Sequence, residues 1–166
     1  MEQNTSTPPS ATESVTGPRP RESRLRLVTV EQTGAVAEGH TLVGPQAARD
    51  ALRAYFEPKD REHFVVLHLD GAHRVVSAEV VSIGTLTSAL VHAREVFKAA
   101  ILANARAIIC SHNHPSGERT PSREDRMTFE KLAEAGKLLG IPLLDFLIFG
   151  GNGCWSAVED GTWTAA

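Results

Sequence analysis

The strongest constraint on the fold lies between Arg106 and Gly150, where an apolar run, RAIICSHNH, gives way to a polar loop, an amphipathic stretch, REDRMTFEKLAEAGKLLG, and a second apolar run, IPLLDFLIFG. Short runs rich in β-branched residues read as strands, and the stretch between them repeats apolar residues at helical spacing. Leu132, Ala135, Leu138 and Leu139 are expected on the inner face of that helix, with Gly140, Ile141 and Pro142 as its stop signal. Upstream, FVVLHLD and RVVSAEVVSIG flank a DGAH turn and predict an antiparallel hairpin. A helix is expected from about His92 to Asn104, with Val96, Phe97, Ala100, Ile101 and Asn104 on one face. Another is expected in VGPQAARDALRAYFE, where Pro45 opens the run and Pro58 ends it. GCWSAVEDGTW reads as a short terminal strand with loops. Strands and helices alternate with a hairpin included, which predicts an α/β sandwich with a mixed sheet flanked by helices.

The flanks and composition narrow the function classes. Residues 1–24 hold four Pro, four Ser and four Thr without an aromatic residue, so a disordered tail is expected there. Residues 25–40 read as a lead strand, LRLVTVEQ, and a Gly-rich loop, and residues 41–166 as the folded domain. No apolar stretch approaches the ~20 residues that a spanning helix needs, and no signal peptide is visible, so a cytoplasmic protein is expected. Cys110 and Cys154 form no CxxC pair and read as reduced thiols. A net charge of -3 and a pI near 6.2 argue against a phosphate-binding surface and hence against nucleic acid as partner.

SHNHPSGERTPSRED, residues 111–125, carries the chemistry. Residues two apart on a strand share a face, so His112 and His114 can aim at one point while Asn113 faces away. Pro115 and Gly117 turn the chain out of the sheet, and Asp125 can return as a third ligand. Two imidazoles and a carboxylate leave one position open on a tetrahedral Zn²⁺, the mark of a catalytic rather than a structural site. The same residues also read as ordinary structure: Ser122 to Asp125 is a capping box at a helix start. The two readings are compatible, because a cap on the helix that carries Asp125 helps to aim that carboxylate.

HNHPSG followed by PSRED resembles the JAMM or MPN+ metalloprotease motif. REHFVVLHLD, VSIGTLTSALVHAREVFKAAILANARAIICSHNHPSG and EAGKLLGIPLLDFLIFG together resemble the RadC family, which carries a JAMM-type domain, over about Thr41 to Trp155. The resemblance implies a cytidine-deaminase-like MPN/JAB1 sandwich, zinc held by His112, His114 and Asp125 with water as fourth ligand, and a peptide or protein substrate. It also implies that Ser122 helps to stabilise the oxyanion and that a glutamate before an early strand is the general base. Glu62, ahead of FVVLHLD and in parity with Phe64, Val66 and His68, matches that glutamate; Glu95, in HAREVF, is the alternative.

The other chemistry-bearing residues weigh less. Cys110 reads as an inert buried thiol, and Asp145, inside an apolar strand, requires a partner, either a ligating histidine or backbone. His40, His63, His68, His73 and His92 read as surface or strand residues without matching partners. Phe146 stands where RadC-like proteins commonly have His, and Ala93 where they commonly have Pro; both departures are expected to fall outside the metal set. No helix-hairpin-helix region is recognised ahead of the domain, which weakens a DNA-repair role. Two other readings remain, a non-catalytic MPN-type scaffold and a DNA-repair or mobile-element accessory. Nothing in the sequence speaks to the oligomeric state.

Overall fold

The apolar runs build the sheet and the amphipathic stretches cover it, in a computed structural model that describes residues 41–56, 59–84 and 91–161. The tail over residues 1–24 and the lead segment over residues 25–40 lie outside the described residues. In chain order the elements are α1 (Gly44–Arg53), β1 (His63–Leu69), β2 (Val75–Ile83), α2 (Ala93–Leu102), β3 (Ala107–Asn113), α3 (Arg123–Leu139), β4 (Leu143–Gly150) and β5 (Gly153–Ser156). The sheet runs β2-β1-β3-β4-β5. Its β3 and β4 pair in parallel while the other neighbours are antiparallel, so the sheet is mixed as expected. Parallel neighbours need a crossover, and α3 supplies it.

Both faces of the sheet are covered. Phe64, Val66, Ile108, Cys110, Phe146 and Ile148 face α2 and α3, and Val65, Leu67, Ile109, Leu147 and Phe149 face Ala48 and Leu52 of α1. Burial on two sides explains why β3 and β4 read as continuous apolar runs rather than alternating ones. The helix ends follow local chemistry. Asn104, at φ 51, and Gly140, at φ 69, take the left-handed conformation just beyond α2 and α3. In the hairpin turn, Asp70 Oδ1 accepts from the N–H groups of Ala72 and Arg74.

Three sequence expectations change. First, Leu132 and Ala135 of α3 pack against the core as expected, but Phe129, Ala133 and Gly136 complete that face, while Leu138 is 87% exposed and Leu139 is exposed too. Gly136 sets this rotation, since a Cβ there would lie 2.6 Å from the Ile141 carbonyl oxygen and 3.2 Å from the Phe97 ring. Close helix packing on the bare glycine offsets its poor helix propensity. Second, α1 ends at Arg53, well before Pro58, and Ile101 of α2 is exposed. Third, His68 is fully buried and does have a partner: its Nδ1 lies 2.8 Å from Ser77 Oγ, while its Nε2 is buried without one.

The His68 environment makes a prediction about acid stability. Burial pushes its imidazole from 6.5 down to about 4. Between those values the unfolded chain binds a proton that the folded chain refuses, so stability falls as pH drops from 6.5 towards about 4. The loss is on the order of 3 kcal/mol once pH is below both values. A His68→Leu chain is expected to lose that part of its acid sensitivity. Melting curves with the wild-type pH dependence across this window would contradict the assignment.

Candidate metal centre

Central strand β3 delivers two histidines to the end of the sheet at which α3 begins. This is the carboxyl end of the parallel pair, where open α/β sheets hold their ligands. His112 is the penultimate residue of β3, and His114 lies just beyond its last. The His114 N–H still bonds the Phe149 carbonyl at 2.8 Å, so the ladder to β4 holds both residues in strand-like geometry. The turn after Pro115 closes with Gly117, at φ 84, whose N–H bonds the His114 carbonyl at 3.0 Å.

Asp125 returns to the histidines from the first turn of α3. The expected capping box is present: Ser122 Oγ accepts from the Asp125 N–H at 3.1 Å, and the Ser122 N–H donates to Asp125 Oδ2 at 2.7 Å. The Ser122 hydroxyl also donates to Oδ2 at 2.6 Å. The cap therefore aims the carboxylate, and the positive end of the helix favours its charge. Asp125 Oδ1 lies 3.1 Å from His112 Nε2, Oδ2 lies 3.3 Å from His114 Nε2, and the two Nε2 atoms are 2.9 Å apart.

That spacing fits a common ion. Tetrahedral zinc with bonds of 2.0–2.1 Å sets its ligand atoms about 3.3 Å from one another. Among the described residues this is the one group of three or more His, Cys, Asp or Glu residues able to hold a metal. His114 Nδ1 lies 3.0 Å from the Glu118 carbonyl oxygen, which places the proton on Nδ1 and turns the Nε2 lone pair to the cluster. Gly150 permits this, because a Cβ there would lie 2.8 Å from the Gly117 carbonyl oxygen and closer still to that of Glu118. Burial raises the Asp125 carboxyl, but hydrogen bonds from His112 and His114 outweigh it and hold the group far below the usual carboxylate range. The hydrogen bond to Asp125 raises His114, with a smaller upward pull from the charge of Glu62. A metal ion would take the place of these protons.

The two candidate bases occupy different surroundings. The β1–β3 ladder ends at the Phe64–His112 pair, and Glu62 lies two residues before Phe64, just ahead of β1, where its charge is felt at His114. The backbone on both sides of Glu62 is fixed by Asn113. Its side-chain Oδ1 accepts from the His63 N–H at 2.8 Å, and its Nδ2 donates to the Arg61 carbonyl at 3.0 Å. Asn113 faces away from the histidines as expected, yet holds the segment that carries Glu62. A buried amide on an apolar central strand must find partners, and that rule is the one signal that marks it in the sequence. Glu95, on α2, bonds Lys98 at 2.8 Å and Arg94 at 3.3 Å, and these bonds lower its carboxyl.

The remaining singled-out residues also find places. Asp145 bonds Ser156 Oγ at 2.7 Å and the N–H groups of Phe146 and Val158, so it braces the β4–β5 end rather than a ligand histidine. Cys110 is fully buried, and burial pushes its thiol well up, in keeping with an inert role. His63 bonds Tyr55 through Nδ1 at 2.9 Å. Phe146 does reach the metal set. Its ring stands edge-on to His112 with centroids 5.4 Å apart, and His112 Nδ1 is buried without a hydrogen-bond partner.

A mixed sheet between helices, with a His-His-Asp cluster at the end of its central strand, defines an α/β domain of JAB/MPN type with a candidate metal centre. The chain belongs to the RadC-like JAB domain family, which it matches over residues 42–162. It is 47% identical over 124 residues to a UPF0758 protein of Rubrobacter xylanophilus, covering 74% of this chain and 54% of that one. Against a UPF0758 protein of Methanosarcina acetivorans it is 50% identical over 101 residues, covering 61% and 44%. Against one of Staphylococcus carnosus it is 47% identical over 120 residues, covering 72% and 53%. The chain thus spans about half the length of these relatives. No helix among the described residues is long and apolar enough to cross a membrane.

Proposed function

We propose that the domain is a zinc-dependent hydrolase that cleaves a peptide or isopeptide bond, with His112, His114 and Asp125 as metal ligands and Glu62 as general base. The observation that carries the reading is the convergence of three ligand atoms on one point, with the charge of Glu62 acting on His114 beside them. A zinc ion held there would polarise the scissile carbonyl and make a water acidic enough to lose its proton near neutral pH. Glu62 takes that proton and passes it to the departing amine, so that one carboxylate serves both half-reactions. Glu95, committed to Lys98 and Arg94 and lowered by them, is the poorer base.

Ser122 is assigned to the oxyanion. Its hydroxyl is free to swing from Asp125 Oδ2 to the developing negative charge, because the Ser122 N–H keeps its own bond to that carboxylate oxygen. The two cysteines are free, in keeping with a cytoplasmic setting. The test is a panel of peptides and lysine-linked isopeptides incubated with zinc-loaded protein. Cleavage that stops on chelation and returns with zinc is the expected result. A zinc-loaded protein that cleaves none of them would favour a non-catalytic scaffold, and tight salt-dependent DNA binding in its place would favour an accessory role in repair.

A further inference from the structure

A small cavity adjoins the metal centre on the α3 side, with a volume of about 90 Å³. Asp125, one of the three residues of the cluster, forms part of its wall. Its other inner walls are apolar: Pro121, Phe129 of α3, Phe146 of β4 and Trp155 of β5. The aromatic wall begins at the metal ligands, since the Phe146 ring lies 5.4 Å from that of His112 and 5.7 Å from that of Phe129. Phe146 is buried beneath the cavity, whereas Phe129 and Trp155 pack against the core and are only partly buried. Arg126 and Glu130, of opposite charge and both exposed, stand at the mouth.

From this geometry we infer that the cavity is a specificity pocket for a branched aliphatic side chain, such as that of leucine, on the residue flanking the bond held at the metal centre. The inference rests on the hydrolase reading above for its substrate class. Size and lining both select the occupant. The recess is half open, and its volume of about 90 Å³, against about 150 Å³ for an enclosed cavity that takes benzene, is room for a group the size of a branched aliphatic side chain. A carboxylate is disfavoured both by the apolar rings of Phe129, Phe146 and Trp155 and by the negative charge of Asp125 in the same wall. Glycine would leave those rings uncovered.

The chain contains two tryptophans, so a Trp163→Phe background leaves Trp155 as the sole emitter against the pocket. Zinc-loaded protein in this background is titrated with N-acetyl-leucine hydroxamate and N-acetylglycine hydroxamate, whose chelating ends are identical. The leucine compound is expected to bind roughly tenfold or more tightly, from burial of its isobutyl group, and to shift Trp155 emission. Phe129→Asp should remove that preference by weakening the leucine compound much more than the glycine compound; a variant that had merely unfolded would lose both. Equal affinities in the parent protein would overturn the pocket and leave the metal centre standing. If neither hydroxamate binds, N-acetyl-leucine amide, which has the side chain but no chelating group, separates the two readings. A Trp155 shift with the amide that is absent in Phe129→Asp means that the metal centre fails alone, and no shift means that both fail.

Discussion

Glu62→Gln is expected to leave the bound metal in place and to slow hydrolysis by about 10²- to 10⁴-fold, the usual contribution of a positioned acid–base group. Glutamine keeps the size of the side chain and removes its ability to accept a proton, so the loss would report proton transfer rather than packing. The location of Glu62 makes the effect specific. Its charge is felt at His114, and the Asn113 amide fixes the peptide groups on either side through bonds of 2.8 and 3.0 Å. Glu95→Gln is the control. Its carboxylate is already paired with Lys98 and Arg94 on the exposed side of α2, and its removal is expected to change turnover little. Turnover and zinc content measured on the two variants decide the matter; full activity in Glu62→Gln would move the base elsewhere.

The second large effect is expected at a residue that touches no ligand directly. In Gly150→Ala the new methyl would run into the backbone of Gly117 and Glu118, which cannot move aside as a flexible side chain can. Overpacking of this kind costs about 1–3 kcal/mol. More important is what the displaced backbone does: the Glu118 carbonyl holds His114 Nδ1 at 3.0 Å. Loss of such a supporting bond typically weakens metal affinity by about 10- to 100-fold. Gly153→Ala is the matched comparison, since its new methyl would meet the side chain of Arg119, which can swing into solvent. Zinc affinity measured by chelator competition should fall in the first variant and hold in the second. Equal affinities would mean that the Glu118 carbonyl does not govern His114.

Much of this geometry is legible in the sequence, and for identifiable reasons. His112, His114 and Asp125 are recoverable because strand periodicity, a forced turn and a helix cap are all local rules. The hairpin and the ends of α2 and α3 are recoverable on the same terms. What escapes depends on contacts between distant segments. The inner face of α3 turns on the approach of Gly136 to Ile141 and Phe97, where a missing side chain counts for more than the leucines beside it. Asp145 finds Ser156 and Val158 on the next strand and turn rather than a ligand histidine. Asn113 is placed on the correct face by periodicity, but its hold on Arg61 and His63 spans about fifty residues of chain. Phe146 illustrates the same limit, because the sequence does not reveal that its ring meets His112 and floors a cavity beside Asp125.

If His112, His114 and Asp125 hold one zinc ion together, as proposed, metal analysis of purified protein beside a His112→Ala variant will report it. One zinc per chain in the wild type, lost in the variant while the fold is retained, is the expected result; a wild type that takes up no zinc, or a variant that keeps it, would contradict the claim.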